Sequence, residues 1–161
     1  LVHEVAACLE ACVHRVVPLQ PCIGDIWHEN VLFEGARVTG LVDFGAMEVD
    51  TVARDIARLL GSMAGDRADL WQAGLAAYQS VRKLSESEQQ LIAAFDRSTV
   101  LMAGLNWLDW IYRQHRVFEC PEAILDRLTE IADRLEHLRT RFVTGETRVL
   151  WCLENRSEPG P

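Results

Sequence analysis

The sequence predicts an α+β fold, mostly helical, with one small β-hairpin near residues 31–43. Three observations carry this prediction. From residue 50 onward the apolar positions recur at helical spacing, and capping residues stand at the starts of the periodic runs. Before that, one pair of short apolar runs is separated by a turn sequence, Glu34-Gly35-Ala36. A hydrophobic content of 49% and a mean hydropathy of +0.01 over 161 residues suit a folded unit with one good core rather than a disordered chain.

Taken in order, Val5, Ala6, Leu9, Val13 and Val16 predict a helix over 2–17 that Pro18 and Pro21 end, leaving a loop. Val31-Leu32-Phe33 reads as a strand and residues 37–42 as its partner, so the hairpin returns Asp43 to the loop that holds Asp25 and Asn30. Asp50 or Thr51 caps a helix to about Ser62, with Val52, Ile56, Leu59 and Leu60 inward. A break at Gly65-Asp66 precedes a helix over 68–81. Ser85 and Glu88 form a capping box that opens a long helical stretch to about His115. Cys120-Pro121 opens a last helix to about Phe142, striped by Ile124, Leu128, Ile131, Leu135 and Leu138. Residues 1–142 are thus expected to form one lobe and 143–161 a loose tail, with no internal repeat.

Net charge is −8, which argues against a nucleic-acid partner, since such domains usually carry a basic face. No apolar run approaches the roughly 18 residues of a membrane span. The five cysteines, Cys8, Cys12, Cys22, Cys120 and Cys152, are odd in number and scattered, so free thiols in a reducing cytoplasm are expected rather than a disulfide framework. Cys8 and Cys12 lie four residues apart with His14 nearby, but a metal site would want more ligands. The N-terminus lacks Met and any secretory pattern, so the chain is expected to start inside a longer protein.

The chemistry concentrates in Ile23-Gly24-Asp25-Ile26-Trp27-His28-Glu29-Asn30, followed across the hairpin by Val42-Asp43-Phe44-Gly45. Phosphoryl transfer needs positioning, a carboxylate to receive a hydroxyl proton, and metal-borne neutralisation of phosphate charge. Mg²⁺ takes oxygen ligands, often one or two carboxylates plus substrate phosphates. One carboxylate, an amide five residues later and a second carboxylate beyond a hairpin fit that demand. Gly24 and Gly45 are expected to let the backbone turn sharply beside the two acids. Each residue also has a plainer reading: Asp25 and Asp43 as turn acids, Asn30 as a strand-entry cap, and Asp55 as part of a polar helix face.

Together, Ile23-Gly24-Asp25, Asn30-Val31-Leu32, Val42-Asp43-Phe44 and Asp55-Ile56-Ala57 resemble the aminoglycoside phosphotransferase and choline kinase branch of the protein-kinase-like fold. The resemblance is close over about residues 20–60 and general over the later helices. It implies the C-terminal lobe of that fold, and a phosphotransferase moving the γ-phosphate of ATP or GTP, with Mg²⁺, to a hydroxyl of an aminoglycoside-, choline- or homoserine-like acceptor. On this likeness Asp25 is the catalytic base, Asn30 and Asp43 are metal ligands, and Asp55 supports the catalytic loop. Ile23 stands where the family has His, which puts turnover in question. His28 is a candidate substrate or phosphate contact, or else an ordinary solvent-facing loop residue. Trp107 and Trp110, with Leu101, Leu105 and Leu108, suit a core or groove wall. Asp109, Glu119 and Glu122 are candidates to meet a cationic acceptor.

No Gly-rich phosphate loop occurs, and the only lysine, Lys83, lies far beyond the catalytic loop. The chain by itself is therefore expected to bind nucleotide poorly and to turn over negligibly, as a fragment without its nucleotide lobe. The alternative is a catalytically degenerate kinase-like binding or scaffold module, which Ile23 favours and the intact Asp25, Asn30 and Asp43 disfavour. A metal-dependent phosphohydrolase fits less well, because such sites usually hold more carboxylates and histidines.

Overall fold

The computed structural model describes residues 1–118 and 120–144. Glu119, Cys152 and the 145–161 part of the expected tail lie outside the described residues. The fold is the mostly helical α+β arrangement expected. It comprises α1 (Val2–Glu10), β1 (Gln20–Cys22), a 3-10 turn (His28–Asn30), β2 (Val31–Glu34), β3 (Arg37–Leu41), β4 (Glu48–Asp50), α2 (Val52–Ala64), α3 (Ala68–Val81), α4 (Glu86–Leu108), a π-helical turn (Asp109–Arg113) and α5 (Pro121–Val143).

Local signals set most boundaries. The Thr51 side chain accepts the Ala53 N–H and starts α2. At α4 the Ser85 hydroxyl accepts the Glu88 N–H, while the Glu88 carboxylate accepts the Ser85 N–H, so both halves of the box are present. Pro121 stands at the start of α5.

Two expectations, the length of the first helix and the loop around Pro21, need correction. The first helix stops at Glu10, not 17: Val13 and Val16 are 70% and 94% exposed, so their apolar period has no partner surface to hold it in a helix. The helical stretch opened by Ser85 reaches Arg113, close to the expected end, α-helical to Leu108 and π-helical from Asp109. The segment around Pro21 is not merely a loop. It is β1, antiparallel to β4, with Pro21 opposite Val49 and Cys22 opposite Glu48. Its two-stranded sheet consists of edges alone, where a strand proline is tolerated.

The larger apolar cluster joins α2, α3 and α4 through Val52, Ile56, Trp71, Leu75, Leu91 and Ile92. Trp71 is fully buried, and its indole N–H is satisfied by the Gly65 carbonyl at 2.9 Å. A second cluster ties α1, α4 and α5 through Val5, Val100 and Leu138. Helix α4 therefore packs against α1, α2 and α5, and the predicted α5 stripe turns inward at Ile131 and Leu138. The hairpin β2–β3 stands apart: Val31 is buried, but Leu32, Phe33 and Val38 are exposed. Among the described residues, no helix is long and apolar enough to cross a membrane.

Candidate active site

One face of α2 holds the loop that bears Asp25. Positions 55, 58 and 62 fall on the same side of a helix, three and four residues apart. From that side the Asp55 carboxylate accepts the N–H groups of Ile23 and Gly24, both at 2.8 Å. Arg58 Nε donates to Asp25 Oδ1 at 2.9 Å. The Ser62 hydroxyl accepts the His28 N–H at 3.0 Å and donates to the Leu59 carbonyl. Three side chains from one rigid element thus fix four successive features of an irregular loop.

The loop also braces itself. Asn30 Nδ2 donates to the Asp25 carbonyl at 2.9 Å. Spending the amide nitrogen there leaves Asn30 Oδ1 as the free acceptor. Gly24 takes φ +81°, and a Cβ at this position would lie 2.2 Å from the Ala46 carbonyl oxygen, so the loop and the β3–β4 connection approach at a distance only glycine allows.

Asp43 follows Val42, whose N–H donates to the Asn30 carbonyl at 3.0 Å, so the hairpin register brings Asp43 beside Asn30. The sharp backbone at this corner is at Asp43 itself, with φ +60°, and not at Gly45 as the sequence reading had it. Aspartate tolerates the left-handed region because its carboxylate can bond within its own turn, and here Asp43 Oδ1 accepts the Gly45 N–H at 3.3 Å. Among the described residues, no group of three or more His, Cys, Asp or Glu gathers as a metal cage. Asn30 and Asp43 carry an amide oxygen and a carboxylate, donors of the kind that Mg²⁺ takes when substrate phosphates and water complete its shell.

An open cavity of about 1110 Å³ runs from Asp25 to the wall made by α4 and α5. Asp25 and His28 line it; Asn30, Asp43 and Asp109 do not. The His28 ring packs edge-on against Trp27 at 4.8 Å. Trp107 and Trp110, 5.2 Å apart and T-shaped, form part of the wall. Asp109 is instead held by Arg113 and Gln114, contacts that keep its carboxyl below the usual range. Glu122 is exposed and off the cavity. The acidic groups that do reach the wall are Asp126 and Glu130 of α5.

Sequence reasoning missed Arg58 and Arg127, which both border the cavity. The signal for Arg58 was its place three residues after Asp55, on the face already assigned to the loop. Arg127 had no local signal.

A fold of this kind with a braced Gly-Asp loop, an amide five residues on and a carboxylate across a hairpin belongs to the phosphate-transferring class. The sequence profile of the phosphotransferase enzyme family matches residues 1–91, and the chain belongs to that family. Among curated relatives, it is 34% identical over 94 residues to the homoserine kinase of Polaromonas naphthalenivorans, covering 53% of this chain and 29% of that protein. It is 32% identical over 130 residues to the homoserine kinase of Beijerinckia indica, with 77% and 40% covered. It is 32% identical over 151 residues to that of Methylocella silvestris, with 90% and 45% covered. The chain thus spans less than half the length of these relatives.

Proposed function

We propose that this chain is the acceptor- and metal-side lobe, residues 1–142, of a cytoplasmic small-molecule kinase. The reaction moves the γ-phosphate of ATP to the hydroxyl of a small acceptor that also carries an ammonium group. The observation that carries this reading is the bracing of Asp25: its loop is clamped by Asp55, Arg58 and Ser62, and its carboxylate faces the cavity. Homoserine is the favoured acceptor, because the relatives that share this stretch bear the name homoserine kinase.

In this reading Asp25 accepts the hydroxyl proton as the oxygen attacks phosphorus, and its distance from the acceptor is fixed by α2 rather than by the loop. Asn30 and Asp43 would hold Mg²⁺, which when bound would supply neutralisation of the phosphate charge. Ile23, which stands where the resembling family has His, offers the loop its backbone N–H to Asp55 and no side-chain proton. The scaffold alternative finds little support in a loop whose acidic group is so fully positioned. Assayed by itself the chain is expected to turn over negligibly, since no Gly-rich loop or strand lysine in its sequence grips the nucleotide.

The test joins the chain to the part of the Beijerinckia indica homoserine kinase that it leaves uncovered. ATP-dependent phosphorylation of L-homoserine should appear, and Asp25→Ala should lower turnover by roughly 10²–10⁴-fold with nucleotide binding nearly unchanged. Equal turnover with and without Asp25 would end the assignment of the base.

A further inference from the structure

We propose that the cavity takes an amino acid bearing a side-chain hydroxyl, and that Arg58 and Arg127 seat its carboxylate. The place of the hydroxyl rests on the phosphotransfer reading above; the place of the carboxylate rests on the cavity alone.

Arg58 offers an unfilled fork. Its Nε is spent on Asp25, but its two terminal nitrogens have no partner among the described residues. The guanidinium carbon lies over the Trp27 ring, 5.5 Å from its centre, and the side chain, 28% exposed, borders the cavity. Arg127 comes from α5, with Nη1 on Glu130 at 2.5 Å. Both arginines border the main cavity and also a small notch of about 30 Å³ between α2, α4 and α5, where Ser62 and Thr99 add hydroxyls.

A group entering that notch meets the guanidinium ions of Arg58, Arg127 and Arg134, the Thr99 hydroxyl and the Glu130 carboxylate that already pairs with Arg127, so the open donor for an anion is the Arg58 fork, with the charge of Arg127 beside it. A carboxylate suits it because a guanidinium edge presents two parallel N–H bonds at carboxylate spacing. The same guanidinium carries Asp25 on its other edge. With hydrogen bonds of about 2.9 Å on each edge, an acceptor carboxylate on the fork leaves a hydroxyl about four bonds away within reach of Asp25. Asp126 and Glu130, on the α5 wall, have the sign that an α-ammonium needs. A purely cationic acceptor would place its charge against Arg58 with nothing to answer the free fork, so the arrangement selects a zwitterion.

The test needs no nucleotide. The chain is titrated calorimetrically with L-homoserine and with the amino diol in which the carboxylate is reduced to a hydroxymethyl group. Homoserine should bind roughly ten- to hundredfold more tightly. Arg58→Gln should bring that ratio close to one, and Arg127→Gln should reduce it. Equal binding of the two compounds, binding of neither, or an undiminished ratio in Arg58→Gln overturns the proposal. Should Arg58→Gln lose its far-UV dichroism, Arg127→Gln decides: an unchanged ratio there removes the two-arginine seat. The two readings separate cleanly. A persistent ratio without phosphate transfer in the joined protein refutes the kinase reading and leaves the seat, whereas transfer to both compounds with equal kcat/KM refutes the seat and leaves the kinase.

Discussion

Asp55 gives the loop two hydrogen bonds from one carboxylate, to the N–H groups of Ile23 and Gly24. Alanine removes both partners at once, and unpaired donors are costlier than a missing bond. Asp55→Ala should therefore cost roughly 2–3 kcal/mol in urea unfolding, with the Ile23 and Gly24 amides among the first to lose hydrogen-exchange protection. Asp55→Asn keeps a single acceptor oxygen and should fall between. Unchanged protection of those amides in Asp55→Ala would show that the loop does not depend on this side chain. Gly24→Ala fails for a different reason: the added Cβ meets backbone, not a flexible side chain, at a residue with φ +81°. A penalty of about 1–3 kcal/mol follows from the strain alone. Asp55 and the kind of partner it takes, backbone N–H groups of the Asp25 loop, were implied by the resemblance; which two N–H groups was not, because the bonds span more than thirty residues of chain.

At the scale of elements, what was legible is what is local. The Ser85–Glu88 box, the Thr51 cap and Pro121 each act within four residues, and each starts a helix at the expected place. The hairpin was legible from its turn. The β1–β4 pairing was not, because it joins Cys22 to Glu48 across the whole catalytic segment and carries a proline where strands rarely do. Glu48 and Asp50 belong to β4 and grip Arg54, whose charge they stabilise. The start of α4 makes a pH prediction. Burial pushes the Glu88 carboxyl up, but the Ser85 N–H, Arg82 and the Ser85 hydroxyl outweigh it and hold the group below its ordinary value of 4.5. A depressed carboxyl stabilises the fold above the unfolded value and loses that contribution as pH falls through the folded one. Thermal stability should thus decline below about pH 4.5, and the Glu88→Gln variant should show a shallower decline over that window. Parallel curves for the two proteins would assign the acid transition to other carboxylates.

At the scale of the molecule, the loop and the acceptor wall stand on different helices, and one buried contact sets their spacing. Arg134 of α5 donates from Nη2 to Asp96 of α4 at 3.0 Å and from Nη1 to the Gly61 carbonyl of α2 at 3.1 Å. Its Nε lies 3.6 Å from Asp66 in the turn between α2 and α3. The side chains of Arg134 and Asp96 are 15% and 13% exposed, and burial pushes the Asp96 carboxyl up against the pull of Arg134. Gly61 is required there, since a Cβ would sit 2.5 Å from Asp96 Oδ1. This junction holds α2, which carries Asp55 and Arg58, at a fixed distance from α5, which carries Arg127. Removing one partner strands a buried charge, whereas replacing both with apolar groups of similar volume does not. Arg134→Met should therefore cost about 3–5 kcal/mol, and Asp96→Leu combined with Arg134→Met should recover most of that loss. The double variant restores the fold but not the polar tie to the Gly61 carbonyl, so the helix spacing it recovers need not be the native one. If the tie sets the cavity, the double variant should unfold near the wild-type urea midpoint yet bind L-homoserine more weakly. Recovery of both stability and affinity would mean that apolar packing alone positions α5 against α2.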